Sequence, residues 1–310
     1  MRTSLFLALP SLFLSVARGR MSSWLCLSLL LFVPIGSMAQ WPAGKGNGYA
    51  NLSFTYLRYH EVIDRASFQN GFEHHPIERY VSDHTLNAYL RVGVSDQFTV
   101  VTSVPFKFLA TGDKLLEAPD DRYSSDTVEA GNLNTLGNLR IGGSYSLHSG
   151  TYNWSVKLMM GLKTASYQHA TGLRSGYDAY YASPRILVGR GWEKWYFSAS
   201  VGYRYKTNGY SDELVSSNEF GYKWDRGKGK KTWFTFTMGA LVPVTKGRHE
   251  DRNSVHTGLY RDREGFVDPG LKIDHYLSKH WALTLSSIGA VWARHGGNEL
   301  TYTGGISYEW

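Results

Sequence analysis

Between residues 195 and 206 the chain places Trp195, Phe197, Ala199, Val201, Tyr203 and Tyr205 at alternate positions. Between them stand Tyr196, Ser198, Ser200, Gly202, Arg204 and Lys206. Successive side chains of a β-strand point to opposite sides, so this segment reads as a strand with one apolar face and one polar, charged face. The same parity recurs. Trp154, Val156, Leu158, Met160 and Leu162 oppose Ser155, Lys157, Gly161 and Lys163, while Leu139, Ile141, Gly143, Tyr145 and Leu147 oppose Asn138, Arg140 and Ser144. A charge on a lipid-facing wall costs about 2–4 kcal/mol near the bilayer midplane, so the charged faces belong inside. A helical membrane protein needs runs of about 20 apolar residues, and none follows Ala39. Aromatic residues make up 15% of the chain, with 21 Tyr and 33 Gly, and the mean hydropathy is −0.31, as one-sided strands require.

Alternating stretches run at roughly 48–59, 84–94, 98–109, 137–147, 152–165, 179–190, 195–207, 216–225, 231–245, 264–277, 281–294 and 299–310. They predict an all-β fold, a transmembrane antiparallel up-and-down β-barrel of about 12 strands. An even number is expected of a bacterial single-chain barrel. The connections alternate in length. Short ones fall at 95–97, 148–150, 191–194, 225–230 and 278–279; long ones at about 60–83, 111–136, 166–178, 208–215 and 246–263. Short periplasmic turns and long outer loops produce this rhythm when both termini face the periplasm, and a soluble sandwich has no reason to sort its loops so.

Tryptophan gives an independent reading. Trp154, Trp192, Trp195, Trp224, Trp233, Trp281 and Trp310 all lie beside the short turns or at the end of the last segment. Indole rings favour the membrane–water interface, so these residues predict one periplasmic girdle. Parity turns Trp233 inward unless a bulge intervenes, since Phe234, Phe236 and Met238 take the lipid face. In the final segment Ile306, Tyr308 and Trp310 share a face, and a closing aromatic there matches the strand end that outer-membrane barrels carry.

Residues 1–39 hold no acidic residue and read as a signal peptide, with 40–310 as the barrel. An apolar h-region runs from Trp24 to Ile35, and Ser37-Met38-Ala39 supplies small residues at the −3 and −1 positions of a cleavage site. Arg18 and Arg20 precede Met21, which reads as an alternative start. Cys26 is the sole cysteine and lies inside this segment, so the mature chain has no thiol for disulfides, thiolate metal sites or nucleophilic catalysis. The formal charge of +7 includes Arg2, Arg18 and Arg20, which leaves a dispersed +4 and no argument for nucleic acid.

The inward parity collects Arg91, Lys107, Arg140, Lys157, Lys163, Arg185, Arg204, Lys206, Lys223 and Lys272 as lumen-lining candidates. Glu219, Asp268, Asp274 and Glu309 stand against them. Two readings follow: a pore or cavity that favours anions, or a structural ion-pair network that fills a narrow barrel. The carboxylates of loop 111–136 lack the spacing of a compact Ca²⁺ loop and read as an acidic solvated surface. His74 and His75, with His84 further on, lack a third ligand at useful spacing and read as an exposed loop feature. No metal or other cofactor is expected. His275, His280 and His295 sit at strand ends without a Gly-x-Ser-x-Gly nucleophile motif, so no enzymatic activity is expected.

Four stretches follow one order: Gly137 to Tyr145, Val156 to Thr164, Thr171 to Asp178, and Gly202 to Glu213. Together with the lead-in Gln40 to Tyr49, they resemble the outer-membrane barrels of the meta-pathway of phenol degradation family, which are similar to long-chain fatty-acid transporters. Asn138 stands where that family often has Asp, and Thr164-Ala165-Ser166 where it has Pro-Thr-Gly. The resemblance implies passage of small, often hydrophobic compounds across the outer membrane and no catalysis. The expected function is a channel or transporter for small, hydrophobic or anionic molecules; the alternative is a non-transporting barrel with a structural or surface role. The expected partners are outer-membrane lipid and lipopolysaccharide, the barrel-assembly machinery acting on the last strand, and a small-molecule cargo.

Overall fold

The computed structural model describes residues 42–67, 71–114, 128–225, 227, 231–249, 256–297 and 299–310. Residues 1–39, read above as a signal peptide, and most of the acidic loop, 115–127, lie outside the described residues. Among the described residues twelve antiparallel strands close into a barrel, and no helix is present. Strand β1 is Gly48–Tyr56, continued by Arg58–Ser67; β2 is Gly71–Gly93 and β3 Phe98–Lys114. Strand β4 comes in two pieces, Gly131–Leu136 and Arg140–His148. Then follow β5 (Asn153–Gly161), β6 (Tyr181–Gly191), β7 (Trp195–Lys206), β8 (Glu213–Asp225), β9 (Lys231–Pro243) and β10 (Gly265–Tyr276). Strand β11 (Trp281–Ile288) is extended by Trp292–Arg294, and β12 is Thr301–Glu309.

Each strand pairs with its sequence neighbours, and β12 pairs with β1 from Tyr49↔Glu309 to Tyr56↔Tyr302, which leaves no edge. The closure is fastened at its end. Gly48 N–H donates to the Trp310 carbonyl at 3.1 Å and Trp310 N–H to the Gly48 carbonyl at 3.2 Å. The indole lies so close over Gly48 that any Cβ there would collide with it. Short turns join strands at one end. Ser95 and Ser278 act alike: each hydroxyl accepts the N–H groups two and three residues on, at Gln97 and Phe98, and at His280 and Trp281.

The predicted parity sorts the side chains. On β7, Trp195, Val201, Tyr203 and Tyr205 are exposed on the outer wall, while Tyr196, Ser198, Ser200 and Lys206 are buried inside. Leu52, Phe54, Ile141, Leu158, Ile186, Phe236, Leu271 and Leu285 continue the same outer apolar belt. A closed barrel with that belt places the protein in the outer membrane, where lipid covers what water would not.

Two expectations are corrected. Residues 60–83 are not a long loop: Arg58–Ser67 and the first half of β2 continue the hairpin outward. At about 3.3 Å per residue the 23 residues of β2 span roughly 75 Å, far more than the apolar band of about 25 Å, so the pair rises beyond the membrane. His75 is accordingly a buried strand residue and not an exposed loop feature. Trp233 leaves the girdle: β9 pairs without a bulge through Trp233↔Lys223 and Trp233↔Asp274, so the ring points inward and is 5% exposed.

Candidate lumen site

The outer end of the barrel is closed by folded chain. A buried apolar cluster of Tyr59, Val62, Ile77, Val81, Leu109, Leu173 and Leu259 joins the hairpin extension, β3 and two outer loops. The loop after β5 carries a two-residue ladder, Tyr167–Gln168 with Leu173–Arg174, and is tied to the break in β4. There Asn138 Nδ2 donates to the carbonyls of Leu162 and Tyr177, both at 2.9 Å, and its Oδ1 accepts from Tyr177 N–H at 2.7 Å. An aspartate could not donate those two bonds. The residue that departs from the resembled family thus holds the loop to the wall.

Beneath this cap, Tyr177, Tyr210 and Tyr260 meet edge to face, with centroids 5.3 Å apart at each contact with Tyr177. Lys206 Nζ lies 4.1 Å from the Tyr177 ring centroid. Its partner is Glu213, at 2.5 Å, and both side chains are 0% exposed. Arg204 reaches the other Glu213 oxygen at 3.0 Å. Glu264, in the loop just before β10, accepts from Tyr177 Oη at 2.9 Å. Burial pushes its carboxyl up to about 7; the Tyr177 bond opposes this, and the nearby Glu213 adds to it. Burial likewise raises the Tyr260 phenol to about 12, with the Lys107 cation opposing it. It also lowers the His249 imidazole, helped by Arg174.

Below the cap lies a cavity of about 410 Å³, bordered by Asn87, Lys107, Arg140, Tyr181, Arg204 and Glu264 among others. Lys107 pairs with Asp83 at 2.7 Å. Arg140 donates to Ser103 Oγ at 2.8 Å and is otherwise exposed to the interior space. Toward the short-turn end a second cavity of about 170 Å³ is walled by Tyr49, Tyr89, Tyr196, Trp233 and Tyr276, with Arg91 at its border. Lys272 lies there, 3.8 Å from Glu219 and 3.4 Å from Asp274. Asp274 also accepts from Thr284 Oγ1 at 2.6 Å.

The predicted lumen residues therefore fall into groups. Lys107, Arg140 and Arg204 border the outer cavity, and Arg91, Glu219, Lys272 and Asp274 the inner one. Lys157 and Arg185 face each other on the wall between. Lys206 is sealed under the cap. Lys163 sits past the end of β5, exposed, and pairs with Asp178 at 2.8 Å on the rim, so it does not line the lumen. Lys223, near the short turns, lies 3.9 Å from Asp225. Trp154, Trp192, Trp195, Trp224, Trp281 and Trp310 are all on the outer wall, 41–47% exposed, and ring contacts link Trp195 to Tyr222 and Trp281 to Tyr308. Sequence reasoning missed the cap residues Asp83, Glu213 and Glu264 and the inner aromatics Tyr89 and Tyr276. Parity gave a signal for Tyr89, on the face of Arg91, and for Tyr276, on the face of Asp274, and for Asp83 once β2 is extended. Among the described residues no group of His, Cys, Asp or Glu is arranged to hold a metal ion.

No protein-family profile matches the chain, and no curated protein sequence matches it. Solved structures do. The barrel is similar to an outer membrane channel from Pseudomonas putida F1, with a TM-score of 0.64 at 10% identity over 89% of this chain and 100% of that one. The β-domain of the Bordetella autotransporter BrkA (TM-score 0.47, 13% identity, 86% and 100% coverage) and the Pseudomonas putida toluene transporter TodX (TM-score 0.42, 11% identity, 87% and 92% coverage) are more distant. The likeness to the Pseudomonas putida F1 channel shows the β-barrel fold and goes no further.

Proposed function

We propose that this protein is an outer-membrane channel for small solutes, closed at its outer mouth by the loop cap. The observation that carries this reading is Arg140. Its side chain points inward, yet it is exposed beside a 410 Å³ cavity, so the barrel encloses solvent instead of packing solid. A second cavity of 170 Å³ continues toward the periplasmic turns, and polar side chains border both. The family resemblance extends the proposal to small hydrophobic compounds, and the excess of basic groups in the lumen extends it to anions. The reading assigns the protein no catalysis. Its apolar belt takes outer-membrane lipid and lipopolysaccharide as neighbours, and the closing strand, ending in Trp310, is the part offered to the assembly machinery.

One observation favours the competing reading of a non-transporting barrel: the cap is sealed by an apolar cluster and a fully buried ion pair. Planar-bilayer recordings of the refolded protein separate the two. Channel function predicts discrete openings that become more frequent when the cap is loosened, as in Asn138→Ala. Silence in both proteins, with no uptake defect in a deletion strain, overturns it.

A further inference from the structure

Four interior cations of this barrel have a carboxylate partner: Lys107 has Asp83, Arg204 and Lys206 have Glu213, and Lys272 has Glu219 and Asp274. The wall between the two cavities is different. Lys157 on β5 and Arg185 on β6 stand directly opposite each other in the ladder, both with side chains turned inward. Like charges directly opposite on antiparallel strands repel. Among the described residues neither makes an ion pair. Arg185 Nε donates only to Ser183 Oγ, at 3.2 Å. Every charge that acts appreciably on Lys157 is positive, namely Arg185, Arg91 and Arg140. Around Arg185 stand Arg204 and Arg140, with the phenol of Tyr181.

Such an arrangement is costly inside a barrel unless something anionic answers it. Arg140, opposite Gly161 and so four residues along the strand from Lys157, acts on both groups and with Arg185 supplies two guanidiniums, whose planar forks match an oxyanion with two parallel hydrogen bonds. Lys157 adds a point charge beside them. The neighbouring rings of Tyr181 and Tyr89 give an attached apolar body somewhere to lie.

We propose that Lys157, Arg185 and Arg140 form an oxyanion-binding station midway along the lumen, which takes a small solute bearing a carboxylate or phosphate group. This names the cargo class of the proposed channel and rests on that reading only for the solute's passage. The binding itself is a property of the wall.

The test is thermal unfolding of the full-length barrel in a zwitterionic detergent, at one ionic strength, with sodium chloride exchanged for sodium benzoate or for inorganic phosphate. A ligand that binds only the folded barrel raises its midpoint, by about 3 °C when present at roughly ten times its dissociation constant. The expected result is a rise with benzoate, phosphate or both, relative to chloride; the stronger arm tells an organic carboxylate from an inorganic oxyanion. Lys157→Gln/Arg185→Gln should lose the rise and melt higher than the unsubstituted protein at low salt, because the repulsion is gone. Arg185→Glu, which creates a cross-strand ion pair with Lys157, should fold and also lose the response. A rise that persists in these variants, or no rise beyond chloride in the unsubstituted protein, overturns the station. Melting does not require conduction. A protein that conducts without the response sinks this inference alone, and one that responds without conducting sinks the channel alone.

Discussion

The two ends of the lumen are closed by different chemistry. At the outer end, the Lys206–Glu213 pair has no exposed surface and sits under Tyr177, Tyr210 and an apolar cluster of seven buried side chains. At the periplasmic end, Lys272, Glu219 and Asp274 retain 26%, 21% and 18% exposure around a 170 Å³ vestibule. The same residue types meet, at 2.5 and 3.0 Å in the outer end and at 3.4 and 3.8 Å in the inner one, and desolvation separates them further. A charge that keeps water loses little when its partner goes; a charge that has none loses nearly everything that made its burial tolerable. The outer end is therefore a dry latch and the inner end a wet throat.

The largest expected effect tests the latch. Glu213→Gln leaves Lys206 sealed without a carboxylate and takes an acceptor charge from Arg204, at a cost of about 3–5 kcal/mol to the closed cap. Hydrogen exchange at the amides of 171–177 and 257–264 should accelerate accordingly, while β4 to β6 nearer the short turns keep their protection. Replacing both partners, Lys206→Met with Glu213→Leu, should restore most of the protection. If the double replacement exchanges as fast as the single one, unpaired charge is not what opens the cap.

A smaller effect follows from pH. Glu264 faces Tyr177, Glu213, Lys206 and Arg204, and its carboxyl titrates near 7 in the closed cap against 4.5 for the ordinary group. A raised acid keeps its proton when folded, so the unfolded or open form binds fewer protons between those values. Stability of the cap is then full below about 4.5 and falls as pH rises through about 7. The two-and-a-half-unit difference corresponds to about 3 kcal/mol at most, and water in the adjoining cavity reduces it. Exchange or proteolysis of the outer loops should quicken from pH 5 to pH 8, and Glu264→Gln should flatten that profile. A flat profile in the unsubstituted protein removes Glu264 from the latch.

Much of this architecture was legible because lipid enforces it. Within the hydrocarbon, Leu158 and Arg185 cannot exchange faces, so parity alone located twelve strands and the inward charges. Where β1 and β2 rise out of the membrane that enforcement ends. Glu61 and Arg79 interrupt the alternation, and the hairpin read as a loop. Trp233 set two rules against each other: closeness to a turn argued for the interface, parity for the interior. Parity won because the ladder from Lys223 to Asp274 is unbroken. The pairing of interior charges was not legible, because the register between neighbouring strands and the path of the outer loops decide it. Tyr177 and Glu264 are separated by 87 residues and Lys107 and Asp83 by 24. Once the pairs are assigned, the two sequence readings both survive in different places: an ion-pair network at either end, and a basic excess in the middle.

The smallest effect is expected at the periplasmic throat, and it decides whether exposure is the right variable. Lys272→Met removes the cation between Glu219 and Asp274, which would be as damaging as Glu213→Gln if pairing alone governed stability. Each carboxylate, however, has other support: Tyr196 Oη lies 3.4 Å from Glu219, Thr284 Oγ1 2.6 Å from Asp274, and the vestibule admits water to both. The cost should stay at about 1 kcal/mol or less and shrink further in salt, as for a partly exposed pair. It should appear as slightly faster exchange in β8 to β11, with no change in the cap. A loss comparable to that of Glu213→Gln would mean that the throat is as dry as the latch, and the contrast between the two ends would then have to rest on the cap's apolar cluster instead of on desolvated charge.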